Sequence, residues 1–151
     1  MPADDDQETS RQDRSLALVF QLRGVPLFKG LSADELLPVA KIATEASFEA
    51  GETVFEEGAE GEHLYLISSG SVEVLHSGDR IAELGSGECF GEMALLDRTT
   101  RSATVRALEA TTLVATARDD FNDLLELYPA LARTIANVLV ARLRERNRSG
   151  G

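Results

Sequence analysis

Glycine spacing constrains this chain more than any other feature. Gly51, Gly58, Gly61, Gly70, Gly78, Gly85 and Gly87 cut its centre into segments of at most eight residues. Pieces that short cannot sustain an isolated helix, but they match the ordinary length of a β-strand. The segments AGETVFEEG, EHLYLISSG, SVEVLHSGD and RIAELGSGE are punctuated in this way, and SATVRALEATTLVATA follows them. Apolar and polar residues alternate in His63-Leu64-Tyr65-Leu66-Ile67 and in Ser71-Val72-Glu73-Val74-Leu75. His76-Ser77-Gly78-Asp79 supplies a hairpin turn. Short strands about ten residues apart, separated by glycine turns, predict an antiparallel sandwich or barrel.

Helical spacing flanks this centre. SLALVFQL (15–22) is apolar enough for a short packed helix that ends near Gly24 and Pro26. In LFKGLSADELLPVAKIATEASF, Ser32 is a candidate N-cap with Glu35 three residues on, the pattern of a capping box. Leu36, Val39, Ala40 and Ala43 follow at helical intervals, and Pro38 lies in the early turns, where it is tolerated. From Arg118 the helical period returns: Asp119 or Asp120 can cap FNDLLELY, and Pro129 suits the first turn of a second helix. Leu131, Ile135, Val138, Leu139 and Leu143 form one apolar stripe on that helix. The expected organisation is an acidic disordered tail over 1–14, then one domain over 15–147, then a flexible end over 148–151. Within the domain, helices occupy 15–47, the β barrel 48–117 and two further helices 118–147.

With 151 residues the chain accommodates one domain with a core. Its net charge of −11 argues against gripping a nucleic-acid backbone, which calls for a clustered basic surface. The basic run ARLRERNR contains a glutamate and reads as solvated helical turns. No apolar stretch approaches the roughly 20 residues needed to cross a bilayer, so no membrane insertion is expected. MPADDDQETSRQDR lacks the pattern of a secretory signal, and the single Cys89 fits a reducing cytoplasm. Cytoplasmic location is the expectation.

Several chemistries find no residues to carry them. Gly85-Ser86-Gly87 followed by Gly91 has its third glycine one place late for a dinucleotide fingerprint, and no βαβ unit surrounds it. Neither GxxxxGK nor GxSxG occurs. His63 and His76 sit in separate strand segments, apart from Cys89, which is not the spacing of a metal site. No nucleophile, base and oxyanion donors assemble, so neither an enzyme nor a resident cofactor is expected.

One segment remains, FGEMALLDRTTRSATVRA (90–107), with an acid and a base nine positions apart. Phe90 would anchor in the core, and Gly91 lets backbone approach a ligand. Glu92 is an acceptor suited to a sugar hydroxyl. Met93-Ala94-Leu95-Leu96 is the length of one helical turn, whose N–H groups can face an anion. Arg101 offers a planar fork to phosphate oxygens. Ser102 adds a hydroxyl, and Ala103 a small side chain beside an N–H. The set matches an anion with a neighbouring sugar, a nucleotide whose phosphate and ribose are close. An intrachain Glu92–Arg101 ion pair in an ordinary turn satisfies the same spacing.

GECFGEMALLDRTTRSATVRA resembles the phosphate-binding cassette of the cyclic nucleotide-binding domain family, whose pattern is approximately FGE(M/L)AL, a short loop, then R(S/A/T)A(T/S)V. Upstream, VPLFKGLSADEL and FEAGETVFEEGAEGEHLYLISSGSVEV follow the family in order. Downstream, DDFNDLLELYPALARTIANVLVARL resembles its hinge and lid helices. The likeness spans roughly 22–146. It implies an antiparallel jelly-roll barrel with N-terminal helices and C-terminal hinge and lid helices. It further implies that Gly91 and Glu92 bind near the ribose 2′-hydroxyl and that Arg101 neutralises the cyclic phosphate. Ser102 and the backbone at Ala103 would help, with Met93 and Ala94 in the small helix beside them. Val74 and Leu84 would line the purine, although both also fit plain sheet core. Arg142, on the lid helix, could stack on the base. Thr100 departs from the proline frequent in the family at that loop position, and Cys89 precedes the phenylalanine where other types also occur.

The function implied is a regulatory module that binds a cyclic nucleotide, cAMP in preference to cGMP, and signals through its C-terminal helices. A changed ligand, or a protein-interaction domain without ligand gating, are the alternatives. No helix-turn-helix, kinase motif or channel segment accompanies the cassette. The expectation is therefore a free-standing receptor or a domain cut from something larger.

Overall fold

The structure, a computed structural model, describes residues 14–150, with side chains as far as residue 147. The acidic tail therefore lies outside the described residues, apart from Arg14, which is already helical. The chain forms two compact units. One is strand-rich, Ile42–Asn122; the other is helical, built from the described residues before and after it.

Ten strands make up the first unit: β1 (Thr44–Phe48), β2 (Thr53–Phe55), β3 (Glu60–Gly61), β4 (His63–Ser69), β5 (Ser71–His76), β6 (Asp79–Gly85), β7 (Cys89–Phe90), β8 (Thr99–Thr100), β9 (Thr104–Ala107) and β10 (Thr111–Ala117). They form two four-stranded sheets, ordered β1-β10-β4-β7 and β2-β9-β5-β6, and a two-stranded ribbon, β3-β8. Every pairing is antiparallel. The fold is mainly β with flanking helices, as the glycine spacing predicts. Ile67, Phe90 and Leu113 from one sheet meet Val72 and Val105 from the other in a shared core, with Phe48, Val54, Phe55, Tyr65, Val74 and Leu84 packed on it. Period-2 alternation places these residues on inward faces.

The β5–β6 hairpin turns at Ser77-Gly78, both with positive φ (51° and 85°), between the paired His76 and Asp79. Those are the signs of a type I′ turn, whose twist suits the flanking strands. Gly70 also has positive φ, and a Cβ there would meet Thr111 and the Ala110 carbonyl. One boundary moves. Residues 44–47, read as an extension of the N-terminal helices, belong to β1 because they pair in register with β10. Partner strands overrode a locally ambiguous stretch.

In the helical unit, α1 covers 14–22, a 3₁₀ turn follows at Pro26–Phe28, and α2 spans Ala33–Ile42. The capping box forms as expected. The Glu35 amide donates to Ser32 Oγ, and the Ser32 amide to Glu35 Oε1, each at 3.1 Å. Pro38 is accommodated inside α2. Between the sheets' segments and the C-terminus stand α3 (Met93–Leu96), α4 (Arg118–Leu127) and α5 (Pro129–Gly150). Asp119 and Asp120 lie in the first turn of α4 and do not cap it, because the helix already begins at Arg118. Carboxylates there still complement the helix dipole.

Helix α5 runs past the end expected for it, and its apolar stripe is unevenly buried. It continues to Gly150, so the backbone at 148–150 is helical rather than a loose end. Its apolar stripe is buried only at Leu131 and Ile135; Val138 and Leu139 are half-buried, and Leu143 is 58% exposed. Among the described residues, no single helix is long and apolar enough to cross a membrane.

Candidate functional site

The segment 89–103 folds around one side chain. Phe90, in β7, pairs with Tyr65 of β4 and stacks on it, ring centroids 5.3 Å apart. Phe55 of β2 completes an aromatic shelf, 5.7 Å from Phe90 and 6.0 Å from Tyr65. The Arg101 guanidinium lies over the Phe55 ring at 4.0 Å and reaches Tyr65 at 5.8 Å. At these distances a cation gains from the ring quadrupole.

Its backbone is held just as firmly. The Arg101 amide donates to the Ala59 carbonyl (2.7 Å), and the Gly58 amide donates to the Arg101 carbonyl (2.8 Å). The ribbon pairs Thr99 with Gly61 and Thr100 with Glu60 directly before it.

Two glycines make room. Gly91 has φ +77°, and a Cβ there would lie 2.6 Å from Arg101 Nη1 and 2.9 Å from the His63 carbonyl oxygen. At Gly61 a Cβ would lie 2.9 Å from both Cζ and Nε of Arg101. Only hydrogen fits at either position without displacing the guanidinium.

Arg101 is only 8% exposed. Nη2 donates to the His63 carbonyl at 2.9 Å, while Nε is buried without a hydrogen-bond partner. No ion pair among the described residues includes it. The Glu92–Arg101 pair is therefore not what organises the segment. Burial lowers the Arg101 pKa from its ordinary value, opposed by interaction with Tyr65. Burial raises the Tyr65 phenol, opposed by the Arg101 charge. A desolvated cation lacking a counter-charge is costly, and an anion brought to it would be bound strongly.

Around this cation, α3 begins at Met93 with Glu92 as N-cap in helical conformation. The amides of Ala94 and Leu95 close the turn on the Gly91 and Glu92 carbonyls (3.1 and 3.2 Å). Those two N–H groups are committed to the helix instead of facing an anion, since so short a helix closes its first turn with i→i−3 bonds. Ala94 is buried, Glu92 half-buried and Met93 63% exposed. Ser102 is exposed and Ala103 half-buried. The Ser102 carbonyl lies 3.1 Å from His76 Nδ1, which ties the β5–β6 hairpin to the strand after Arg101.

The remaining sequence candidates are placed less closely. Val74 and Leu84 flank the shared core, half-buried. Arg142 lies on α5, in the helical unit, also half-buried. Other residues at the site carried no local signal. Phe55 and Tyr65 were only members of strand segments, and Gly61 one turn glycine among many. Arg118 appeared only as the start of a helix. Its Nη1 donates to the carbonyls of Gly61 (2.9 Å), Ala94 (3.3 Å) and Asp97 (3.4 Å).

Comparison with known proteins matches residues 45–128 to the family described as "Cyclic nucleotide-binding domain". The cyclic AMP receptor protein of Thermus thermophilus is 39% identical over 129 residues, which is 82% of this chain and 60% of that protein. Glutaminase 1 of Bradyrhizobium diazoefficiens is 38% identical over 128 residues, but these cover only 21% of its length. Among solved structures, the N-terminal domain of a transcriptional regulator from Streptomyces coelicolor superposes with a TM-score of 0.78 at 29% identity. That match covers 82% of this chain and 91% of the other. The chain thus spans less than two thirds of either curated relative, 60% of one and 21% of the other.

Proposed function

The chain belongs to the cyclic nucleotide-binding domain family, and on that premise we propose that it is a cyclic-nucleotide receptor, with cAMP its preferred ligand. One observation carries the reading: the buried Arg101 cation, with Nε unpartnered and no counter-charge in the described residues. A cyclic phosphate supplies the missing anion, and the planar fork suits two of its oxygens. Gly91 gives the ligand backbone access. Glu92 accepts from the ribose 2′-hydroxyl, while Ser102 and the Ala103 amide add donors to the phosphate. Val74 and Leu84 furnish apolar wall for the base. Apart from the Ser102 hydroxyl, which related pockets use to reach the guanine amino group, nothing in the cassette looks chosen for guanine, which favours cAMP.

The reading is regulatory, not catalytic. Binding that left every conformation equally populated would transmit nothing, so ligand must favour one arrangement of a movable part. Helix α5 is the proposed output, with Arg142 contributing to base recognition. Its effector would be a further domain or another protein, as in relatives where matched sequence forms a small share of the whole.

Titration calorimetry with cAMP and cGMP tests the proposal. Saturable binding of cAMP with a micromolar or tighter Kd, about −8 kcal/mol or more negative, is expected. Absence of binding by both nucleotides refutes the receptor reading. Displacement of cAMP by lower concentrations of cGMP reverses the ligand preference.

A further inference from the structure

We propose that Arg118 is a positioning residue for the anion site and the joint through which its occupancy reaches helix α4. The coupling half rests on the receptor reading above; the positioning half does not. Three carbonyl oxygens converge on its Nη1, those of Gly61, Ala94 and Asp97.

The need for such a donor is local. A four-residue helix leaves its C-terminal carbonyls without following N–H groups. The next candidate for Ala94, the Arg98 amide, is already taken by the Asp97 carboxylate at 2.7 Å. Arg118 fills that gap from a distant part of the chain. Another of its three acceptors, Gly61, is the ribbon residue packed against the Arg101 guanidinium. The start of α3 is tied to Gly91, which is packed against the same guanidinium. Arg118 therefore closes a ring of contacts, from Arg101 through Gly91 and α3 to Gly61 and back. Its own amide donates to the Glu62 carbonyl at 2.8 Å, so the first residue of α4 is fixed at both backbone and side chain. A shift of α3 or the ribbon when phosphate meets Arg101 is carried to α4 through this side chain. Hydrogen bonds from a charged donor are stronger than neutral ones, and the shortest of the three, to Gly61, is 2.9 Å.

Hydrogen exchange and calorimetry on wild type, Arg118→Gln and Arg118→Lys test both halves. In ligand-free protein, Arg118→Gln should exchange roughly tenfold faster at the α3 amides, Asp97 above all, with β4 and β10 unchanged; tenfold corresponds to about 1.4 kcal/mol. Arg118→Lys, with a single-point donor, should recover part of the protection. Unchanged α3 exchange in both variants overturns the positioning role, and so does an equal rise throughout β4 and β10. With cAMP, Arg118→Gln should bind about tenfold more weakly, and at saturation residues 119–127 should fail to gain the protection seen in wild type. An equal gain in both proteins overturns the coupling. Should wild type bind no cyclic nucleotide, the receptor reading falls, while the ligand-free exchange still decides the positioning role.

Discussion

Gly91 and Arg101 occupy space that only one of them can fill. A Cβ at Gly91 would stand 2.6 Å from Arg101 Nη1 and 2.9 Å from the His63 carbonyl oxygen, on a backbone with φ +77°. Gly91→Ala therefore meets two penalties at once. The left-handed conformation is strained for alanine, and a backbone oxygen cannot yield as a flexible side chain can. The expected loss of stability is about 1–3 kcal/mol by urea unfolding. Ligand affinity should fall with it, because the guanidinium must move.

Arg101 should show opposite signs for binding and stability. Arg101→Met keeps the packing on Phe55 while removing a desolvated charge that has no counter-ion among the described residues. Replacement of such a charge by an apolar side chain is expected to be neutral or stabilising by about 1 kcal/mol in the ligand-free protein. The same change should weaken cAMP binding by roughly 2–4 kcal/mol. Arg101→Lys should restore only part of the affinity. Paired urea and calorimetric titrations give both numbers; a large loss of ligand-free stability would show that Arg101 serves the fold.

Glu92 should act through the sugar. Glu92→Ala and 2′-deoxy-cAMP should each weaken binding, and their combination should add little, as for one shared contact. Full additivity in that double cycle would assign Glu92 a different task.

Helix α2 depends on its reciprocal cap. Ser32→Ala removes the Oγ that accepts from Glu35, and should cost about 1 kcal/mol. Urea midpoints of wild type and variant suffice to check it. Ligand affinity should be unaffected.

Residues 137–146 of α5 should exchange more slowly with saturating cAMP than without it. Half-buried Val138 and Leu139 and exposed Leu143 show that this part of the helix is less deeply buried than Leu131 and Ile135. Equal exchange in both states would remove α5 as the output while leaving ligand binding intact.

Sequence by itself determined the elements whose causes are local. Glycine spacing set the strands, Ser77-Gly78 set the hairpin turn, and Ser32 with Glu35 set the cap of α2. Spacing left the segment 90–107 open between an ion pair and a ligand site, and it was the resemblance of its motif to the family's cassette that marked it. Tertiary structure decided what depends on distant partners. Residues 44–47 became strand only because β10 was there to pair with them. The aromatic shelf joins Phe55, Tyr65 and Phe90 from three strands, and Arg118 reaches α3 across some two dozen residues. Above all, the state of Arg101 was settled by packing. A planar cation near a carboxylate in sequence can be a surface ion pair or a buried cation without a counter-charge. Desolvation distinguishes the two, and desolvation is a property of the neighbours that folding brings together, not of the spacing.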